Sequence, residues 1–125
     1  MSPQRPQLRI RVALSPGVAL GPGKADLLEC IAASGSISAA ARQMRMSYKR
    51  GWTLVDDMNR AFKSPVVASV AGGVQGGGAM LTANGKRVLA LYRKIECQAA
   101  QACDRELAAI ARLTAPDGEG KSAPK

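Results

Sequence analysis

Arg42, Arg45, Lys49 and Arg50 stand within nine residues that contain no acid, and the hydroxyls of Ser47, Tyr48 and Thr53 lie among or beside them. Guanidinium and ammonium groups can donate to guanine O6 and N7 in the major groove of a duplex. Hydroxyls can bond phosphates or bases. The chemistry of this pattern is recognition of a polyanion. Lys49 and Arg50 are expected at base edges, Ser47 and Tyr48 on phosphate, and Arg42 and Arg45 on nearby backbone. A solvated basic helix face is the plain alternative, since most charge runs are no more than that.

The charge balance supports the first reading. The chain holds 125 residues, with 18 Lys and Arg against 9 Asp and Glu, a net +9. Nucleic acid, an acidic membrane surface and an acidic protein would each suit it. No apolar run approaches the ~20 residues of a spanning helix, and the N-terminus lacks the apolar core of a signal peptide. A cytoplasmic protein without a membrane partner is expected. Tyr48, Trp52, Phe62 and Tyr92 are the whole aromatic set. That scarcity argues against single-stranded nucleic acid, which is held by stacked rings.

Catalysis is not expected. Without histidine there is no Ser-His or Cys-His pair and no ordinary general base. Cys30, Cys97 and Cys103 lack CxxC spacing, so buried thiols are expected and a metal site is not. Gly23-Lys24 and Gly85-Lys86 are followed by Ala25 and Arg87, not by the Ser or Thr that a phosphate-binding loop needs for magnesium. Asp56 and Asp57 point about 100° apart on a helix and cannot work as a pair. Asp26 and Glu29 read as surface charges.

The elements that must present the cations follow from pattern. Leu8, Ile10, Val12 and Leu14 alternate as in a half-buried strand. The prolines and glycines of 15–23 read as a loop, and a helix is expected from about Gly23 to Ala33, ended by Gly35. Ser36 is placed to cap a second helix over 37–44, Arg45 and Met46 make a turn, and Ser47 caps a third helix running to about Phe62. Gly51, Trp52, Val55, Met58 and Phe62 form its expected buried face. A strand over 66–71, a glycine-rich turn over 72–78 and a strand over 79–81 make a wing. Thr82 then caps a last helix, 83–113. Its apolar stripe is Val88, Leu91, Ile95, Ala99, Ala102, Ile110 and Leu113, interrupted by Glu106. About 31 residues at ~1.5 Å each span roughly 46 Å, more than a domain of this size covers. A second copy of the helix, in a two-fold homodimer, is the simplest partner.

From about Asp26 to Leu91 the chain resembles the N-terminal DNA-binding domain of the molybdate-responsive regulators, the ModE family. The motifs are SGSISAAA at Ser34 to Ala41, MSYKRGW at Met46 to Trp52, DDMN at Asp56 to Asn59 and GGGAMLTANGKRVLALY at Gly76 to Tyr92. The first is shared with LysR-type regulators; the SYK-x-x-W opening with a polyglycine wing and LT-x-x-G is more specific. Full-length members append molybdate-binding domains after the long helix. This chain therefore reads as a stand-alone DNA-binding unit onto which no oxyanion-sensing residue can be carried. The wing carries Val74-Gln75 where a basic residue would be expected to touch phosphate.

The sequence thus predicts an α+β, mostly α fold: a flexible N-terminus (1–7), a winged helix-turn-helix (8–82), a long dimerisation helix (83–113) and a disordered tail (114–125). The resemblance implies a homodimeric transcriptional regulator of molybdate transport or molybdoenzyme genes, on a near-palindromic duplex operator. No cofactor is expected in the chain. Molybdate or tungstate would be an effector, sensed directly or through a separate molybdate-binding protein. The rival readings are a small basic RNA- or ribosome-associated protein and a winged-helix interaction scaffold.

Overall fold

The computed structural model describes residues 6–71 and 78–115. The expectations for the first residues, for the wing turn with Val74-Gln75 and for the tail past 115 lie outside the described residues. The chain divides into two compact units, one over Arg9–Lys94 and one that includes Ile95 onward.

The first unit opens with an antiparallel hairpin of β1 (Val12–Ser15) and β2 (Val18–Leu20), paired Val12 to Leu20 and Ala13 to Ala19. The sequence had suggested a longer strand followed by a loop. Gly17, at φ 83°, turns the chain back tightly, and the run of turn residues conceals a three-residue partner strand. Three helices follow: α1 (Pro22–Ser34), α2 (Ile37–Gln43) and α3 (Tyr48–Ala61). Pro22 suits the first helical position because its missing N–H has no partner there anyway. Gly35, at φ 74°, ends α1 by donating its N–H to Ile31 O at 2.8 Å.

The core is aliphatic. Leu27, Leu28 and Ile31 of α1 meet Ile37 and Ala40 of α2, Val55 and Met58 of α3, and Leu81 and Tyr92 beyond. Each large side chain contributes roughly 1.5–3 kcal/mol by leaving water. The Tyr92 ring is buried, and its hydroxyl donates to Ile10 O at 2.6 Å. Asp26 and Glu29, expected as simple surface charges, both meet the guanidinium of Arg93.

The wing is β3 (Val67–Val70) against β4 (Gly78–Leu81), antiparallel, with Val67 opposite Leu81 and Val70 opposite Gly78. Polar side chains fix its base to the helices. Asn59 Oδ1 accepts from Val66 N and Val67 N at 2.8 and 3.1 Å, and its Nδ2 donates to Val67 O. Thr82 donates to Pro65 O and accepts from Gly85 N, the cap expected of it. Ala79 N donates to Gly35 O at 2.9 Å, tying β4 to the end of α1.

The last helix differs from expectation. In place of one helix over 83–113 the chain forms α4 (Ala83–Ala102) and α5 (Asp104–Leu113), separated at Cys103, whose φ and ψ are −104° and 14°. Asp104 and Glu106 occupy the first turn of α5, where acids complement the positive end of a helix. The Glu106 interruption in the apolar stripe thus belongs to a helix start. Within the first unit, half-buried Val88 packs on the core, while Leu91 of the same expected stripe is exposed. In the second unit Ile95, Ile110 and Leu113 are exposed. The cysteines are not buried as expected: Cys97 is exposed and Cys30 and Cys103 are half-buried.

A Cβ on Gly85 would lie 2.0 Å from Val66 O. Gly85→Ala should therefore destabilise the domain by about 3 kcal/mol or more, beyond ordinary overpacking. Urea titration followed by helical circular dichroism measures this, and an unchanged midpoint would contradict the close approach.

Candidate nucleic-acid interface

Two helix ends and the turn between them present the cations. Ser36 Oγ accepts from Ala39 N at 3.0 Å and starts α2; Ser47 Oγ accepts from Arg50 N at 3.0 Å and starts α3. Both caps are as the sequence predicted. Between them Met46 N donates to Ala41 O at 2.9 Å and Arg45 N to Arg42 O at 3.0 Å. This pair of bonds is a Schellman motif. Its left-handed position is filled by Arg45 at φ 61°, the one non-glycine residue with positive φ among the described residues. An L-residue there bears about 1–2 kcal/mol of strain that glycine would not.

All seven predicted contact residues, Arg42, Arg45, Ser47, Tyr48, Lys49, Arg50 and Thr53, are exposed. Among the described residues none of the four cations pairs with a carboxylate. Asp56 instead meets Arg60 at 2.8 Å on the same helix, and Asp26 and Glu29 meet Arg93. The hydroxyls are not equivalent. Thr53 Oγ1 donates to Lys49 O at 3.0 Å, so its proton is committed and it offers lone pairs and a methyl group. Ser47 accepts from backbone and keeps its proton for an outside acceptor.

Trp52 departs from expectation. Sequence reasoning placed it in the core with Val55 and Met58, but it is 39% exposed, whereas Gly51, Val55 and Met58 are buried. Gly51 faces Ala41 at the helix crossing, and the next residue lies about 100° round the helix. The crossing glycine was the available signal. Trp52 Nε1 donates to the Tyr48 hydroxyl, one turn earlier, and the rings meet edge to face with centroids 6.4 Å apart. Phe62, also expected on the buried face, is half-buried against the core.

Among the described residues no cluster of His, Cys, Asp and Glu could hold a metal, and no helix is long and apolar enough to cross a membrane. Three helices followed by a two-stranded wing, with the third helix opening on uncompensated cations, define a winged helix-turn-helix.

No protein-family model matches the chain. Curated proteins do. The chain is 42% identical over 101 residues to the molybdenum transport protein ModE of Azotobacter vinelandii, covering 81% of this chain and 37% of that protein. It is 44% identical over 85 residues to the molybdenum-pterin-binding protein MopB of Rhodobacter capsulatus, covering 68% and 32%. It is 42% identical over 71 residues to the DNA-binding transcriptional dual regulator ModE of Escherichia coli (strain K12), covering 57% and 27%. The chain spans about a third of the length of these relatives, and it is homologous to the N-terminal region of the ModE proteins.

Replacing Arg45 by glycine should raise stability by up to about 1 kcal/mol, the relieved strain less the entropy glycine adds to the unfolded chain. The same change removes an exposed cation and should weaken duplex binding. Thermal melts and binding titrations on one preparation would register the opposite signs.

Proposed function

We propose that the chain is a sequence-specific, duplex-DNA-binding transcriptional regulator that carries out no catalysis and works in the cytoplasm as a homodimer. The observation that carries this reading is the set of exposed, unneutralised cations at the start of α3. A helix end of this form fits the major groove, where its first residues reach base edges. Lys49 and Arg50 would read bases, Ser47, Tyr48, Arg42 and Arg45 would hold phosphates, and Thr53 would lie on the same groove-facing surface. Phosphate neutralisation would supply affinity and the α3 side chains specificity.

The names of two of these relatives connect them with molybdenum and that of the third with transcriptional regulation, and the regulated genes would be those of molybdate transport or molybdoenzymes. Molybdate or tungstate would act as effector, either directly or through a separate molybdate-binding protein; no residue of this chain is assigned to it. Dimerisation would use the exposed apolar residues of α4 and α5: Leu91, Ile95, Ala102, Ile110 and Leu113, with the half-buried Val88 and Ala99 alongside. Two recognition helices would then enter successive major grooves of a near-palindromic operator.

Genome-wide recovery of bound fragments gives the operator, and two substitutions test the reading on it. Arg50→Ala should lower operator affinity about 10- to 100-fold, with a far smaller loss on random duplex. Arg42→Ala should weaken both duplexes alike and reduce the salt slope by about 1. Retained discrimination in Arg50→Ala removes its base-reading role, and tighter binding to RNA than to duplex DNA favours the RNA-associated alternative.

Ile95→Glu should convert a dimer to a monomer in sedimentation equilibrium without unfolding the Arg9–Lys94 unit. A dimer that persists places the interface elsewhere.

A further inference from the structure

We infer that Trp52 is a positioning residue, which orients the Tyr48 hydroxyl to donate a hydrogen bond to a phosphate oxygen at the edge of the DNA groove. The inference rests on the duplex-binding reading above, in which Tyr48 holds a phosphate, and adds a role for Trp52, which that reading left open. The single tryptophan of the chain and one of its two tyrosines sit together in solvent, 39% and 55% exposed. Large rings left in water on a small aliphatic domain forgo burial energy, so their placement calls for a contact outside the chain.

The hydrogen-bond chemistry gives that contact a direction. An indole N–H can only donate, whereas a phenol can both donate and accept. Trp52 Nε1 donates to the Tyr48 oxygen, which leaves the phenol proton facing outward and further polarised by the bond it receives. A polarised O–H without an internal acceptor selects an external one. The pair lies on one flank of α3, beside the outward centre held by Lys49 and Thr53 and opposite Arg50, and Tyr48 is the first residue of the helix, the end at which phosphate is favoured. Edge-to-face packing at 83° holds the phenol at one angle and lowers the entropy lost on contact. Being neutral, the phenol displaces no counterion, so its contribution should not vary with salt as those of Lys49 and Arg50 do.

The test is a double-mutant cycle in the full chain with Tyr48→Phe, Trp52→Phe and the double variant, on the recovered operator and on a random duplex. Tyr48→Phe should cost about tenfold in affinity on both duplexes, as for a hydrogen bond to a charged acceptor, with an unchanged salt slope. Trp52→Phe should cost about threefold alone and nothing further in the Tyr48→Phe background, the mark of a residue acting through another. Melting temperatures should shift by no more than about a few degrees, because Tyr48 is more than half exposed and Trp52→Phe keeps an aromatic ring in place. The inference is overturned by additive losses, by Tyr48→Phe binding like the parent, by losses confined to one base pair, or by lowered melting with affinity intact. A parent protein that binds no duplex retires this inference and the DNA-binding reading together, whereas a parent that binds and a silent Tyr48→Phe retires this one alone.

Discussion

Where α2 and α3 cross, a Cβ on Gly51 would stand 3.0 Å from the Ala41 Cβ and 3.6 Å from Ile37 Cγ2. A residue with no side chain at that point lets the two helices approach across a glycine–alanine seam and sets how far the start of α3 projects. The other features of the interface follow from this one closeness. Gly51 is inward, so Lys49 and Thr53 are outward, and Arg50 and Trp52 are turned to opposite flanks. Packing density is unforgiving at such seams, since a single added methyl must displace backbone or neighbour.

The wing depends on a comparable economy of space. Gly85 passes within contact of Val66 O, and Gly78 within contact of Gly35 O. Asn59, Thr82 and Asn84 supply the hydrogen bonds that hold segment 64–67 against these approaches. The wing base is therefore fixed by polar side chains from α3 and the start of α4, and its strands need only four residues each. Directional side-chain hydrogen bonds of this kind, part-buried or exposed, specify one arrangement better than apolar packing alone.

The parts of this architecture legible in the sequence are those with local physical signatures. Ser36, Ser47 and Thr82 were readable as caps because a hydroxyl before an amphipathic run has one common use, and each accepts the expected N–H. The exposure of Lys49, Arg50 and Thr53 followed from helical periodicity, and that of Arg42 and Arg45 from their place at the turn. The missed features depend on non-local circumstances. The β1–β2 hairpin hides in proline- and glycine-rich sequence whose strand character comes from pairing. Trp52 was misplaced because hydrophobicity argued for burial, while the inward direction of α3 was set by the Ala41 contact. The division at Cys103 was masked by an apolar stripe that continues on both sides. What the exposed side chains touch is a matter of partner chemistry, which periodicity does not contain.

The first turn of α3 contains no acid, and Lys49 and Arg50 sit at the end of the helix where the backbone dipoles already carry about half a positive charge. In an isolated helix this order is unfavourable by roughly 0.3–1 kcal/mol for each cation. Asp56 lies beyond that turn and is paired with Arg60, so it offers little relief. Arg42, at the last turn of α2, is favourably placed for its own helix but adds to the same field, as does Arg45 in its strained turn. The fold thus concentrates positive potential at one small region and directs several of its acids elsewhere. An anion at that region relieves the helix dipole, the mutual repulsion of four cations and the two unfulfilled hydroxyl donors at once, and a phosphate backbone provides several such anions in a row.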